Sequence, residues 1–164
     1  MATKVSSIKK HFEIASLQTD DSALLHQIHQ NCFIPAWEEQ TFDTFLKDHS
    51  IFGYKVHLIN QPDQILGFCL CRLILDEAEI ITIAVQPHYQ RQGIGSLLVD
   101  SILCYLQHAR AAKLFLEVEE TNLSALALYQ HFEFKKIAKR LAYYQSPNGR
   151  KNAIIMQKTF KQTD

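Results

Sequence analysis

Between Ala78 and His108 the chain changes character twice within a few residues. Ala78 to Val85 is an apolar, β-branched run, and it stops just before Pro87. From about Ile94 to His108 apolar residues gather along one side of a helical pattern. The junction is polar and short: Gln86-Pro87-His88-Tyr89-Gln90-Arg91-Gln92, then Gly93-Ile94-Gly95. A strand that runs through a glycine-punctuated turn into a helix implies an α/β fold. It also implies a place for an anion. First-turn N–H groups have no partner inside the helix, and the helix dipole is positive at that end. Glycine lets a ligand approach the backbone, because no Cβ intervenes.

The other expected elements follow from periodicity. Phe12–Ala15 reads as a first strand and Thr19-Asp20-Asp21-Ser22 as a helix start. Leu25, Ile28 and Cys32 share one helical face, and Pro35 ends that helix. A second helix is expected from near Trp37, burying Phe42, Phe45 and Leu46. Ile51–Ile59 and Ile65–Leu75 read as strands joined by a turn at Asn60-Gln61-Pro62-Asp63. Lys113–Glu119 alternates, with Leu114, Leu116 and Val118 on one face and Phe115, Glu117 and Glu119 on the other. Asn122 is placed to cap a helix running to about Phe132. Phe134–Tyr144 and Ala153–Thr159 form a last strand pair around Ser146-Pro147-Asn148-Gly149. The order β-α-α-β-β-β-α-β-α-β-β predicts a mixed sheet of six to seven strands with helices on both faces.

A length of 164 residues predicts a single domain. Seventeen basic residues balance seventeen acidic ones, so a nucleic-acid partner held by a bulk positive field is not expected. Met1–Lys10 has no apolar leader core, and no apolar run approaches the ~18 residues of a membrane span. These features predict a soluble cytoplasmic protein. Cys32, Cys69, Cys71 and Cys104 lack zinc-type spacing and read as reduced core residues, so no metal is expected. His26-x-x-His29 reads as solvated or capping, and Lys135-Lys136 and Lys139-Arg140 as solvated strand edges.

Three kinds of anion turn compete at Gln90–Gly95, beside the bland alternative of a tight strand-to-helix turn. A P-loop needs Gly-Lys followed by Ser or Thr, which is absent. A dinucleotide fingerprint needs a third glycine early in a βαβ unit; here Ser96 and Leu98 follow, in mid-chain. The third pattern, Gln/Arg-x-x-Gly-x-Gly/Ala, is met by Gln90-Arg91-Gln92-Gly93-Ile94-Gly95.

That turn, with Leu116-Glu117-Val118, Asn122 and Ala125-Leu126-Ala127-Leu128-Tyr129 downstream, resembles the GNAT acetyltransferases. Further segments extend the likeness from about Phe12 to Met156: Trp37-Glu38-Glu39-Gln40-Thr41-Phe42, Leu75-Asp76-Glu77-Ala78, Ile83-Ala84-Val85, His88-Tyr89-Gln90-Arg91 and Asn152-Ala153-Ile154-Ile155-Met156. Within the family these segments are similar to the bacterial enzymes that acetylate a protein's N-terminal alanine. The resemblance implies a GNAT fold with splayed central parallel strands and acetyl-CoA as co-substrate. It implies that the backbone of Ile83, Ala84 and Val85 runs beside the pantetheine arm. Arg91, Gln92, Gly93, Ile94, Gly95 and Ser96 then wrap the pyrophosphate, and the Asn122 side chain contacts the cofactor. Glu117 is implied as general base and Tyr129 as general acid. The acceptor, a protein N-terminus such as that of a ribosomal protein, is expected between the Pro35–Trp37 loop and the Tyr143–Asn148 hairpin, against Trp37, Tyr143 and Tyr144.

These roles suit the chemistry. An α-amine with a pKa of roughly 8 is largely protonated near neutrality, so a carboxylate must take its proton. Backbone N–H groups near Val85 suit the oxyanion, and a phenol suits the leaving thiolate. No acyl-enzyme is needed, so no nucleophilic cysteine is expected. Acetylation of a small amine or a lysine side chain, or a non-enzymatic CoA-binding subunit, remain as alternatives. Two positions depart from the family pattern. Glu133 stands where a helix-ending glycine is usual, predicting a mildly strained residue or a different helix end. Pro35 and Trp37 are spaced by one extra residue, which bears on acceptor preference.

Overall fold

The computed structural model describes residues 11–161; Met1–Lys10, read above as lacking an apolar leader, lie outside them. In chain order the elements are β1 (Phe12–Ser16), α1 (Ser22–Cys32), α2 (Glu39–Lys47), β2 (Ile51–Leu58), β3 (Gln61–Ile74), β4 (Glu77–Val85), α3 (Ile94–His108), β5 (Lys113–Glu119), α4 (Leu123–His131), β6 (Lys135–Ser146) and β7 (Gly149–Thr159). Short 3-10 turns occupy Thr19–Asp21 and Pro87–Tyr89. The seven strands order as β1-β2-β3-β4-β5-β7-β6, a mixed sheet in which β4 and β5 run parallel. The expected order of helices and strands is met throughout.

Two compact units make up the chain, and both β4 and α3 contribute to each. The first comprises residues 11–72 and Ile81–Tyr105. Its core gathers Leu25 and Ile28 of α1, Phe42 of α2, Ile65, Phe68 and Leu70 of β3 and Ala84 of β4. Asp21 anchors the start of α1 from below. It accepts Gln18 N–H at 2.7 Å and is held by Lys55 Nζ at 2.7 and 2.8 Å, so its buried charge is paired. The second unit comprises Leu73–Ile80 and residues 106–161. There β5 pairs with β4 over Glu77–Glu79, and with β7 along its whole length. Leu114, Leu116 and Val118 are buried while Phe115, Glu117 and Glu119 remain half-exposed, as the alternation predicts.

Three local expectations about strands and cysteines need correction. The β2–β3 turn is only Ile59-Asn60, and Pro62 and Asp63 belong to β3. The ladder pairs Leu58 with Gln61 and then His57 with Ile65, so residues 62–64 form a bulge. A proline, which has no N–H to donate, is tolerated at such a place. Strand β7 starts at Gly149 rather than Ala153, because β6 and β7 pair right up to the Pro147-Asn148 turn. Cys104 is exposed and Cys32 half-buried, so only Cys69 and Cys71 are core thiols; burial pushes the Cys69 thiol far up.

His29 is neither solvated nor a cap. It is 2% exposed, stacked between Phe33 and Trp37 at centroid distances of 4.4 and 4.8 Å. Burial, with a smaller push from His26, holds its pKa down to about 4. Neutral His29 accepts the Trp37 N–H through Nδ1 at 3.2 Å, while His26 Nδ1 meets the Trp37 carbonyl at 2.8 Å. The two histidines pin the loop between α1 and α2 by one residue's backbone. No group of three or more metal-ligating side chains occurs among the described residues.

Candidate active site

In the first unit, β4 delivers the chain to the glycine turn. Ala84 is buried, and Ile83 and Val85 are half-buried. Gln86 N–H bonds Leu66 O at 2.8 Å, tying the strand's end to β3. The turn braces itself: Gln90 Nε2 donates to Val85 O at 3.1 Å and Gln92 Nε2 to His88 O at 3.2 Å. Arg91 and Gly93 both take positive φ, +61° and +87°. Gly93 O accepts the first bond of α3, from Leu97 N at 3.0 Å. The amides of Ile94, Gly95 and Ser96 therefore belong to the first turn, which has no helical acceptor for them. Ile94 is 1% exposed and locks this turn onto the core, whereas Arg91, Gln92 and Gly93 face solvent.

Gly67 on β3 belongs to the same construction, and sequence reasoning missed it. A Cβ there would lie 2.9 Å from Ala84 O, 3.1 Å from Ile94 Cγ2 and 3.3 Å from Val85 Cα. Only the absent side chain lets β3 pass this close to the end of β4 and the start of α3. A lone glycine inside an apolar strand pattern was the available signal.

The second unit holds the implied acid and base. Glu117 lies on the half-exposed face of β5, and its Oε1 takes Arg140 Nη1 at 2.7 Å. The Arg140 guanidinium in turn sits over the Tyr143 ring, 3.9 Å from its centroid. Two parallel pairs flank this one, Lys151 with Glu119 and Lys139 with Glu120, each at 2.7 Å. Hydrogen bonds from Lys151 and Thr121 hold the Glu119 carboxyl below the usual range, as one from Lys139 does for Glu120. Lys139 and Arg140 are thus ion-paired rather than simply solvated. Asn122 caps α4 as expected, its side chain accepting Ala125 N–H at 3.1 Å. Tyr129 is 4% exposed and meets Phe134 edge-on at 5.6 Å. Tyr143 is exposed; Tyr144 pairs with Lys151 through the backbone, and its side chain lies outside the described residues. Trp37, in the first unit, packs on the core through His29, Phe42 and Phe45, and the exposed apolar groups of its loop are Phe33 and Ile34.

Residues 23–134 match the acetyltransferase (GNAT) family, a span that includes the turn, Glu117, Asn122 and Tyr129. The chain belongs to this family. It is 35% identical over 143 residues to the ribosomal protein bS18-alanine N-acetyltransferase of Escherichia coli (strain K12), covering 87% of this chain and 94% of that protein. It is also 35% identical over 144 residues to the enzyme of the same name from Haemophilus influenzae, covering 87% and 95%. The crystal structure of the ribosomal-protein-S18-alanine N-acetyltransferase from Escherichia coli superimposes with a TM-score of 0.85 at 32% identity, covering 93% of this chain and 96% of that one. The expected likeness to these enzymes, known as RimI, is borne out, and the GNAT fold with it. Acetyltransferases of this family use acetyl-CoA. The chain is accordingly an acyltransferase by family. None of the helices among the described residues is long and apolar enough to cross a membrane.

Proposed function

We propose that this protein transfers acetyl from acetyl-CoA to the N-terminal α-amine of a protein, with the terminal alanine of a ribosomal protein as acceptor. The observation that carries the reading is the 35% identity to the bS18-alanine N-acetyltransferases over 87% of the chain, a span long enough to include the glycine turn, Glu117 and Tyr129 of this sequence.

The turn fits the pyrophosphate on its own chemistry. Positive φ at Arg91 and Gly93 opens the backbone ahead of α3, and the first-turn amides of Ile94, Gly95 and Ser96 point along the positive end of the helix dipole. Arg91 adds a cation at the exposed rim. Backbone groups of Ile83–Val85 lie past the β4–β5 pairs, which run from Glu77 to Glu79, and they suit the polar atoms of an extended pantetheine arm. Asn122, whose Oδ1 caps α4, is assigned to the cofactor through its amide.

Acetyl-CoA supplies an activated thioester carbonyl, so the new C–N bond forms as the C–S bond breaks. Glu117 takes the proton that an α-ammonium must lose before its nitrogen can attack. N–H groups near Val85 are assigned to the developing negative charge on oxygen. The phenol of Tyr129 gives its proton to the leaving thiolate. Tyr143, Tyr144 and the Trp37 loop are assigned to the acceptor peptide.

Acetylation assays with alanine-initiated peptides, internal-lysine peptides and free polyamines test this. Activity on the first alone is expected, with Glu117→Gln and Tyr129→Phe each about 100-fold slower or more. Activity confined to lysine or polyamine acceptors refutes the acceptor assignment. Wild-type rates in both variants refute the assigned chemistry.

A further inference from the structure

Arg140 is not among the residues to which the resemblance gives a role, yet its contacts are those of a built device. By register Glu119, Ala153 and Arg140 are cross-strand neighbours on one face of β5, β7 and β6. From there Arg140 crosses β7 diagonally to Glu117, two residues along β5, and Ala153 leaves only a methyl on that side of β7. The same guanidinium sits over the Tyr143 ring, 3.9 Å from its centroid. In a regular strand residues 140 and 143 point to opposite faces. Here residues 141–143 stand opposite Asn152 alone, between the pairs Arg140↔Ala153 and Tyr144↔Lys151. Ala142 takes φ +54° within this bulge, and its N–H is captured by Asn152 Oδ1 at 2.8 Å. The bulge breaks the alternation and lets Tyr143 reach Arg140.

We propose that Arg140 is a positioning residue for the acceptor amine: backed by the Tyr143 ring, its guanidinium holds Oε1 of Glu117 and leaves Oε2 for the incoming nitrogen. Among the described residues Oε2 has no protein partner, so one oxygen anchors the carboxylate and the other is left for the proton. A carboxylate fixed at one oxygen loses its torsional freedom before substrate arrives, which is where orientation contributes to rate. The inference rests on the general-base reading of Glu117.

The test is steady-state kinetics on the full chain with an alanine-initiated peptide. Arg140→Met is expected to lower kcat about tenfold or more, with KM for acetyl-CoA within about twofold of wild type. Arg140→Lys, which keeps a cation near Oε1, is expected to recover part of that loss. Asn152→Ala, which releases the bulge, is expected to lower kcat in the wild-type background but not beside Arg140→Met. Circular dichroism reports whether each variant is folded. Combined with Glu117→Gln, Arg140→Met is expected to cost nothing further. Wild-type kcat in Arg140→Met beside an impaired Glu117→Gln overturns this inference alone. Equal losses in the Met and Lys variants, or a further tenfold loss in the double variant, also overturn it. Wild-type kcat in Glu117→Gln removes the general-base reading and this inference with it.

Discussion

Replacing Glu133 by glycine is expected to stabilise the protein without changing its chemistry. Helix α4 ends on a left-handed residue, Glu133, with φ +64°. Both bonds of a Schellman motif are present, Phe134 N–H to Tyr129 O at 3.0 Å and Glu133 N–H to Gln130 O at 2.9 Å. The accompanying apolar contact is the Tyr129–Phe134 ring pair. An L-residue in this conformation costs roughly 1–2 kcal/mol relative to glycine. Glycine returns about 0.4–1 kcal/mol of that by making the unfolded chain freer. The Glu133 ion pair with Lys158 is long, 3.4 Å, and its carboxylate is 85% exposed, so its loss matters little. Lys158 keeps its bond to Phe132 O at 2.8 Å in any case. The net gain is about 0.5–1 kcal/mol, or a thermal midpoint higher by about 1–4 °C for a chain of this size. Urea denaturation followed by circular dichroism measures it, with Glu133→Ala as control. The alanine variant loses the same ion pair but keeps the strained backbone, so its midpoint should not rise. A lower midpoint in Glu133→Gly at unchanged m-value refutes the argument, because the side chain then contributes more than the backbone conformation costs.

Two further perturbations probe the first unit. His29 has a pKa of about 4 in the fold against 6.5 as a free group, so the unfolded chain binds its proton first. Its contribution is fully present above about pH 6.5 and is lost as pH falls toward 4, by up to about 3 kcal/mol from 1.36 kcal/mol per unit. Urea midpoints between pH 7.5 and 4.5 should fall more steeply for the wild type than for His29→Leu, and an NMR titration of His29 centred near 6.5 refutes the assignment. Gly67→Ala puts a methyl 2.9 Å from a backbone oxygen that cannot move away cheaply, so a loss of about 1–3 kcal/mol is expected, together with a raised KM for acetyl-CoA. A wild-type urea midpoint and KM in that variant show that β3 and β4 separate more easily than the packing implies.

What could be read from the sequence, and what could not, divides along contact distance in the chain. The β4-turn-α3 segment was legible because every group that shapes it lies within a few residues: Gln90 and Gln92 brace their own turn, and Gly93 opens the helix it precedes. Glu133 was legible for the same reason, since a helix end is a local backbone problem, and the positive φ expected there is present. His29 was misread because helical spacing shows only that it shares a side of α1 with His26. Its burial is set by Trp37 and Phe42, brought in by the next helix. Gly67 needed knowledge of what β3 passes.

The Glu117–Arg140 pair was the least legible of all, and the reason bears on how such a site is specified. The two residues are 23 positions apart and on strands separated by β7. Their meeting depends on register, which one slipped residue would invert. That register is fixed by the uninterrupted β5–β7 ladder and then by the irregular β6–β7 ladder, whose bulge Asn152 pins from the β7 side. Asn152 also accepts Glu120 N–H through its carbonyl at 2.9 Å, so one residue ties the end of β5 to the bulge of β6. The carboxylate's surroundings are therefore determined by the segment from Asn152 to Met156 as much as by Glu117 itself. A substitution at Asn152, far from Glu117 in sequence, should reach the acceptor amine through Arg140 and leave the glycine turn untouched.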